Sequence, residues 1–292
     1  MMRLMLWQSL IDSVNDANLS AETFVEFAMA NVAGETDYNV ARAIGGGILQ
    51  ALDYLTTATR LGVKDYNAVY ADVENLHLEL LRNAAAGSDL QKYWYSNYVD
   101  LSKNSAHLKH LRAILDGSKA YAGLTIDQDK RWAIVAHLNR YQFGDYKALL
   151  ASEILRDKSD IGVKYAIYSE TMRPDPDIKS KWFDVLTENP EQLKLATLRY
   201  IIAGLFPPEQ AALEAPFKAR ILAQIPILNQ GNDLGLTRSF AGNMLPAHCT
   251  AESEVEMAAL VEEYSAMKPQ ILKAVKARHQ TVGRCIKALA LL

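Results

Sequence analysis

Apolar residues recur three and four positions apart along nearly the whole chain, and alternating β-branched runs are almost absent. At the start, Leu4, Trp7, Leu10, Ile11 and Val14 share one helical face, so an amphipathic first helix is expected. Start signals follow at short intervals. Ser20 precedes Glu22, Phe24 and Phe27, and Thr36 or Asp37 precedes Val40, Ala41 and Ile44. Asn189-Pro190-Glu191 has a cap followed by proline, ahead of Leu193, Leu195, Leu198, Ile201 and Ile202, and predicts the clearest helix start. Ser253-Glu254-Val255-Glu256 has capping-box spacing before Leu260, Val261 and Tyr264.

Stops are equally frequent. Gly87-Ser88, Asp116-Gly117, the pair Pro174 and Pro176, and Pro207-Pro208 each close an apolar helical stretch. The units between them are helices of roughly 10–18 residues joined by short turns. Helices so short and so tightly joined must pack antiparallel to their neighbours. Repeated many times, this predicts an all-α solenoid of helix pairs. No fixed consensus repeat is visible, which disfavours tetratricopeptide and ankyrin arrays and leaves degenerate pairs of the HEAT or armadillo kind. No linker rich in Gly, Ser or Pro divides the chain, so residues 1–292 are expected to form a single helical-repeat domain. Gly45-Gly46-Gly47 interrupts a helical pattern and predicts a helix break or a close helix–helix contact.

Composition narrows the function. A net charge of −3 gives no broad basic field, so nucleic acid is not expected as a partner. The apolar opening is too short to span a bilayer, and no membrane partner is expected. The two cysteines, Cys249 and Cys285, form no CxxC pair and suggest no disulfide framework, which points to a reducing, cytoplasmic setting. A chain that opens directly into a helix also looks like a piece of something longer.

The chemistry-bearing residues do not assemble into a reactive centre. No two of the six histidines form His-Glu-x-x-His. His107 and His110 are three apart, with Lys109 between and no nearby carboxylate, and are read as surface or capping residues. No Gly-x-Ser-x-Gly elbow occurs. Asp127 and Asp129 stand ahead of an apolar helix, where carboxylates satisfy free amides and the positive end of the dipole. In Tyr93-Trp94-Tyr95-Ser96-Asn97-Tyr98, helical spacing aligns Trp94 and Tyr98 with Tyr95 beside them and Tyr93 turned away. Core packing is the expectation there, and a groove wall with Lys92 the alternative.

Several phrases, in order, resemble the C-terminal helical domain of the aminopeptidase N and puromycin-sensitive zinc aminopeptidase family, in its endoplasmic-reticulum-aminopeptidase-like form. They are Arg3-Leu4-Met5-Leu6-Trp7-Gln8-Ser9-Leu10-Ile11-Asp12, Glu35-Thr36-Asp37, Gly87-Ser88-Asp89-Leu90-Gln91 and Asp127-Gln128-Asp129-Lys130-Arg131-Trp132. In the last of these, lysine stands where the family has leucine. Arg156-Asp157-Lys158-Ser159-Asp160-Ile161-Gly162, Lys179-Ser180-Lys181-Trp182 and, more loosely, Leu205-Phe206-Pro207-Pro208 follow.

The resemblance implies HEAT-like pairs curved into a bowl over a thermolysin-like zinc domain, in an enzyme that removes N-terminal residues from peptides. The zinc, its ligands, the exopeptidase motif and the transition-state tyrosine belong to other domains of that enzyme. This chain then carries no catalytic residue and no metal of its own. Its partners are the N-terminal and catalytic domains of the same polypeptide and the peptide substrate. Arg131, Arg156 and Lys181 lie in the matching phrases and are candidates for holding a peptide's carboxylate end. The competing expectation pairs them with Asp127, Asp157 or Asp184. A free-standing helical scaffold that binds a protein partner is the alternative function.

Overall fold

The computed structural model describes residues 2–292, and the described residues are helical with no strand. The helices are α1 (Met2–Asn15), α2 (Ala21–Val32), α3 (Tyr38–Arg60), α4 (Asn67–Asn83), α5 (Asp89–Leu101), α6 (Ser105–Leu115), α7 (Gln128–Arg140), α8 (Tyr146–Arg156), α9 (Asp160–Thr171), α10 (Pro176–Glu188) and α11 (Leu195–Leu205). The short α12 (Ala211–Glu214), flanked by 3-10 turns, leads to α13 (Lys218–Gln230), α14 (Leu234–Met244), α15 (Ala251–Glu263) and α16 (Pro269–Leu289).

Side-chain caps set many of these starts. Asp37 accepts from the amides of Asn39 and Val40, Ser88 from Gln91, Asp127 from Lys130, and Ser159 from Gly162. Two expected starts differ. After Asn189, residues Pro190–Gln192 form only a 3-10 turn, and α11 begins at Leu195, although Leu198, Ile201 and Ile202 do bury as the pattern requires. Before α15 the cap is Thr250, which accepts from Ser253 N at 3.2 Å, so Ser253 sits inside the helix.

The glycine run does not break α3. A Cβ on Gly45 would lie 2.7 Å from the Tyr93 hydroxyl, and one on Gly47 would lie 2.6 Å from Phe24 Cζ, so α5 and α2 approach the bare backbone. Close contact is therefore the reason for those two glycines. Gly46 faces open space.

The helices pack as pairs: α2 with α3, α4 with α5, α6 with α7, α8 with α9, α10 with α11, α13 with α14, and α15 with α16. The second helix of each pair also packs on the second helix of the next, running α3, α5, α7, α9, α11, α14, α16. The series then returns on itself, because α16 packs on α3 and α1. Leu289, Leu292, Cys249 and Cys285 join the core of the first pairs, and Arg284 reaches Asp16 at 3.3 Å. The pairs thus curve into a closed, bowl-like ring.

Cys249 and Cys285 are joined as a disulfide, with their Cα atoms 5.6 Å apart. This corrects the sequence expectation: the two residues stand 36 apart, but the turn into α15 and the far part of α16 meet in space. Two apolar cores result. One spans α1 to α8 and includes Trp94, Tyr98 and Trp132; the other runs from α10 to α16 around Phe183, Ile201, Ile225, Phe240 and Tyr264. The aromatic run of α5 is core, as expected: Trp94, Tyr95 and Tyr98 are buried, while Tyr93 lies nearer the surface.

Candidate functional site

One face of α3 presents Leu49, Leu52, Asp53, Thr56 and Arg60 at helical spacing. Opposite it come Tyr66 just ahead of α4, Asn67 and Tyr70 in α4, Asp100, Leu101 and Lys103 at the end of α5, Arg140 and Tyr141 at the end of α7, and Pro208-Glu209 after α11. Together they line a cavity of about 440 Å³.

Buried polar contacts hold these walls. The turn after α5 is fixed by Glu74, a fully buried carboxylate that accepts from the amides of Lys103 (2.7 Å) and Asn104 (3.0 Å) and from the Asn104 side chain. Tyr70 donates its hydroxyl to Leu101 O at 2.7 Å. His137 bonds Ser102 O, and burial pulls its pKa down to about 4, so the ring is neutral at neutral pH. Arg140 grips Glu209 with two bonds of 2.6 Å each, and Arg60 donates to Pro208 O at 2.6 Å. The segment after α11 is thereby tied across to the ends of α3 and α7.

The electrostatics are mixed in sign. For Arg140, burial works against the charge, but the Glu209 bond outweighs it and the guanidinium stays charged. Glu209 is held below the usual carboxylate range: burial would raise it, and the Arg140 bond prevails. Asp53 and Asp100 are pushed upward by burial, opposed by Arg140 and, for Asp53, by Arg60. Both carboxylates open onto the cavity. Neither side chain accepts a hydrogen bond among the described residues. Lys103 extends over the Tyr70 ring at 3.4 Å, and burial lowers its pKa.

Such a lining can recognise a polar, partly aromatic or charged ligand. The described residues do not bring together three or more His, Cys, Asp or Glu side chains, the donor set a zinc ion needs.

The sequence-derived candidates lie elsewhere, each paired with a carboxylate, and two of them share one. Arg131 is paired to Glu153 (2.7 Å and 3.0 Å) and donates to Leu115 O. Arg156 bonds the same Glu153 at 2.9 Å and Gln128 at 2.7 Å. Lys181 bonds Glu170 at 3.2 Å and lies over Trp182. The acids expected to pair with them are otherwise engaged: Asp127 with Lys130, Asp157 with Trp132 Nε1 at 2.8 Å, and Asp184 with Arg220 at 2.6 Å.

His107 and His110 also differ from expectation. His107 is buried against the Tyr98 hydroxyl at 3.1 Å, and His110 meets the Tyr121 hydroxyl at 2.8 Å. The cavity residues escaped sequence reading because five chain segments supply them. No local signal marks them: Asp53 shares its face of α3 with Thr56 and Arg60, as an ordinary solvated position does.

Fold and site define a class first: an all-α ring of helix pairs with a cavity among α3, α4, α5, α7 and the segment after α11. Comparison then gives the family. Residues 1–282 match the ERAP1-like C-terminal domain, and the chain belongs to that family. Over 246 residues it is 26% identical to aminopeptidase N of Streptomyces lividans, a match that covers 84% of this chain but 28% of that protein. The chain is thus similar to less than a third of the length of that relative. No helix among the described residues is long and apolar enough to cross a membrane.

Proposed function

We propose that this chain is the non-catalytic C-terminal domain of a zinc aminopeptidase, where it encloses the peptide chamber and limits access to it. The observation that carries the reading is the closed ring with a cavity built for recognition, in a chain of this family. The similarity to a protein named aminopeptidase N supports the parent activity. Zinc and its ligands would come from the catalytic domain of the same polypeptide. Within the cavity, Lys103 and Arg60 suit a carboxylate end of a peptide, and Asp53 and Asp100 suit a cationic group. Arg131, Arg156 and Lys181 would contribute only by giving up Glu153 or Glu170. With the cysteines paired, the argument for a reducing compartment lapses, and no compartment enters the proposal.

The test uses peptides of graded length and the whole polypeptide that contains this domain. Asp53→Asn and Lys103→Met should raise KM severalfold for long peptides and leave a single-residue chromogenic substrate unchanged. An equal effect at every length would overturn the reading. The alternative, a helical scaffold for a protein partner, is favoured by one separate observation, the apolar groove of the α8/α9 pair.

A further inference from the structure

The α8/α9 pair leaves a groove of about 520 Å³ between its helices. Its α8 wall is Lys147, Leu150, Ala151 and Ile154, spaced three and four apart; its α9 wall is Gly162, Val163, Ala166, Ile167 and Glu170. Small residues on both walls (Ala151, Gly162, Ala166) keep the floor open. Ile154 is 45% exposed and Val163 54%, and Leu155 and Ile161 stand exposed close by. Four large aliphatic side chains thus face solvent within ten positions of sequence, an arrangement that a surface without a partner does not need.

The rim is charged, and the charges are not balanced. Its acids are already engaged: Asp157 accepts from Trp132 Nε1 and from the Ser159 amide, and Glu170 accepts from Lys181 and Trp182. Its cations, Lys147 and Arg173 at one end and Lys158 at the other, form no ion pair among the described residues. Arg173 donates only to Asn139 Oδ1, at 2.8 Å, and lies over the Tyr146 ring. The eleven residues of α8 give the groove a length of roughly 16 Å, about three helical turns.

We infer that the α8/α9 groove is a docking site for an acidic amphipathic helix, whose aliphatic stripe covers Ile154 and Val163 while its carboxylates meet Lys147, Lys158 and Arg173. The charge pattern chooses this occupant: an apolar seam closed at both ends by unpaired cations complements a helix with acids at both ends. The inference goes beyond the chamber reading and does not depend on it, because its readout needs no peptidase activity.

The experiment is fluorescence anisotropy with a labelled short peptide that has leucine at helical spacing and glutamate elsewhere. A second peptide with lysine in place of glutamate serves as comparison. Saturable binding of the acidic peptide is expected, weakened by salt, with the basic peptide bound about tenfold or more weakly. Ile154→Asp and Val163→Asp should each abolish binding. Lys158→Glu, an exposed change that leaves the packing intact, should reduce it severalfold, and circular dichroism verifies that each variant is folded. Absence of saturable binding, equal binding of both peptides, or unchanged binding by folded Ile154→Asp overturns the inference. So does a dimer in sedimentation equilibrium that Ile154→Asp dissolves, since the occupant would then be a second copy of this chain.

Discussion

The two cores are stabilised in different ways. The first buries polar and titratable groups among its apolar side chains: Glu74, His77, Gln91, Asn97, His107, His137, Asn139 and Glu153. In the second, from α10 to α16, the buried polar residues are the neutral Thr197, Gln210, Thr237 and Ser253 together with one charged group, Lys179 of α10. The two carboxylates of the first core set connections between elements. Glu74 fixes the turn after α5, and Glu153 gathers Gln128, Arg131 and Arg156, tying α7 to α8. The second core relies on shape, with aromatic contacts among Phe183, Phe206 and Phe217 and with Pro226 accommodated inside α13. Polar groups that must be satisfied make a fold more specific, whereas apolar packing tolerates variation. The half that builds most of the cavity is the half with the more specific interior.

The largest effect expected is that of Glu74→Leu, which strands the Lys103 and Asn104 amides and should cost roughly 4 kcal/mol in denaturant unfolding. A loss below about 1 kcal/mol would remove the contrast between the cores. Next, reducing the Cys249–Cys285 bond should lower stability by about 3 kcal/mol, since it closes a loop across the second core and helps seat α16. Melting with and without reductant measures this, and Cys249→Ser should erase the difference.

Lys179 sits at the junction of the two cores, fully buried, with Thr171 O at 2.6 Å as its partner. Burial lowers its pKa from 10.5 to about 7. Between those values the unfolded chain holds a proton that the folded one does not, so stability from this group rises with pH across that window. Below about 7 the penalty of burying the charge is present in full. Lys179→Met should therefore flatten the rise and stabilise the protein most at pH about 6; urea titrations across the window would show an unchanged slope if the idea is wrong.

Ile201→Val in the second core should cost only about 1 kcal/mol, as apolar packing adjusts to the loss of one methylene group. The smallest effect compares neighbours on α3. Gly46→Ala, where a Cβ meets nothing, should add about 0.5–1 kcal/mol, while Gly47→Ala, facing Phe24, should destabilise.

Much of the helical pattern was legible locally. The caps at Asp37 and Asp127, the proline stops and the buried stripe of α5 depend on neighbours within a few residues, where periodicity and capping chemistry act. Asn189-Pro190 misled because a proline turn can satisfy the same signals without continuing as an α-helix. What stayed unreadable was long-range. Nothing near Cys249 announces Cys285, nothing near Arg131 announces Glu153, and nothing near Asp53 announces Arg140. Such pairings follow from how the helix pairs curve, and curvature sums many small packing angles that no local pattern encodes.

The return of α16 to α1 and α3 has a consequence for how the protein gains and loses structure. An open helical array frays from its outermost repeats and nucleates wherever a few neighbours assemble. Here Arg284 meets Asp16 across 268 positions, so α1 and α3 gain their contacts with α16 only through a long-range step. Closing the ring is a long-range event, slower to form than the pairing of neighbouring helices. Once seated, α16 leaves no loose margin from which melting can start, and amide exchange in its final turns should be as slow as in α3.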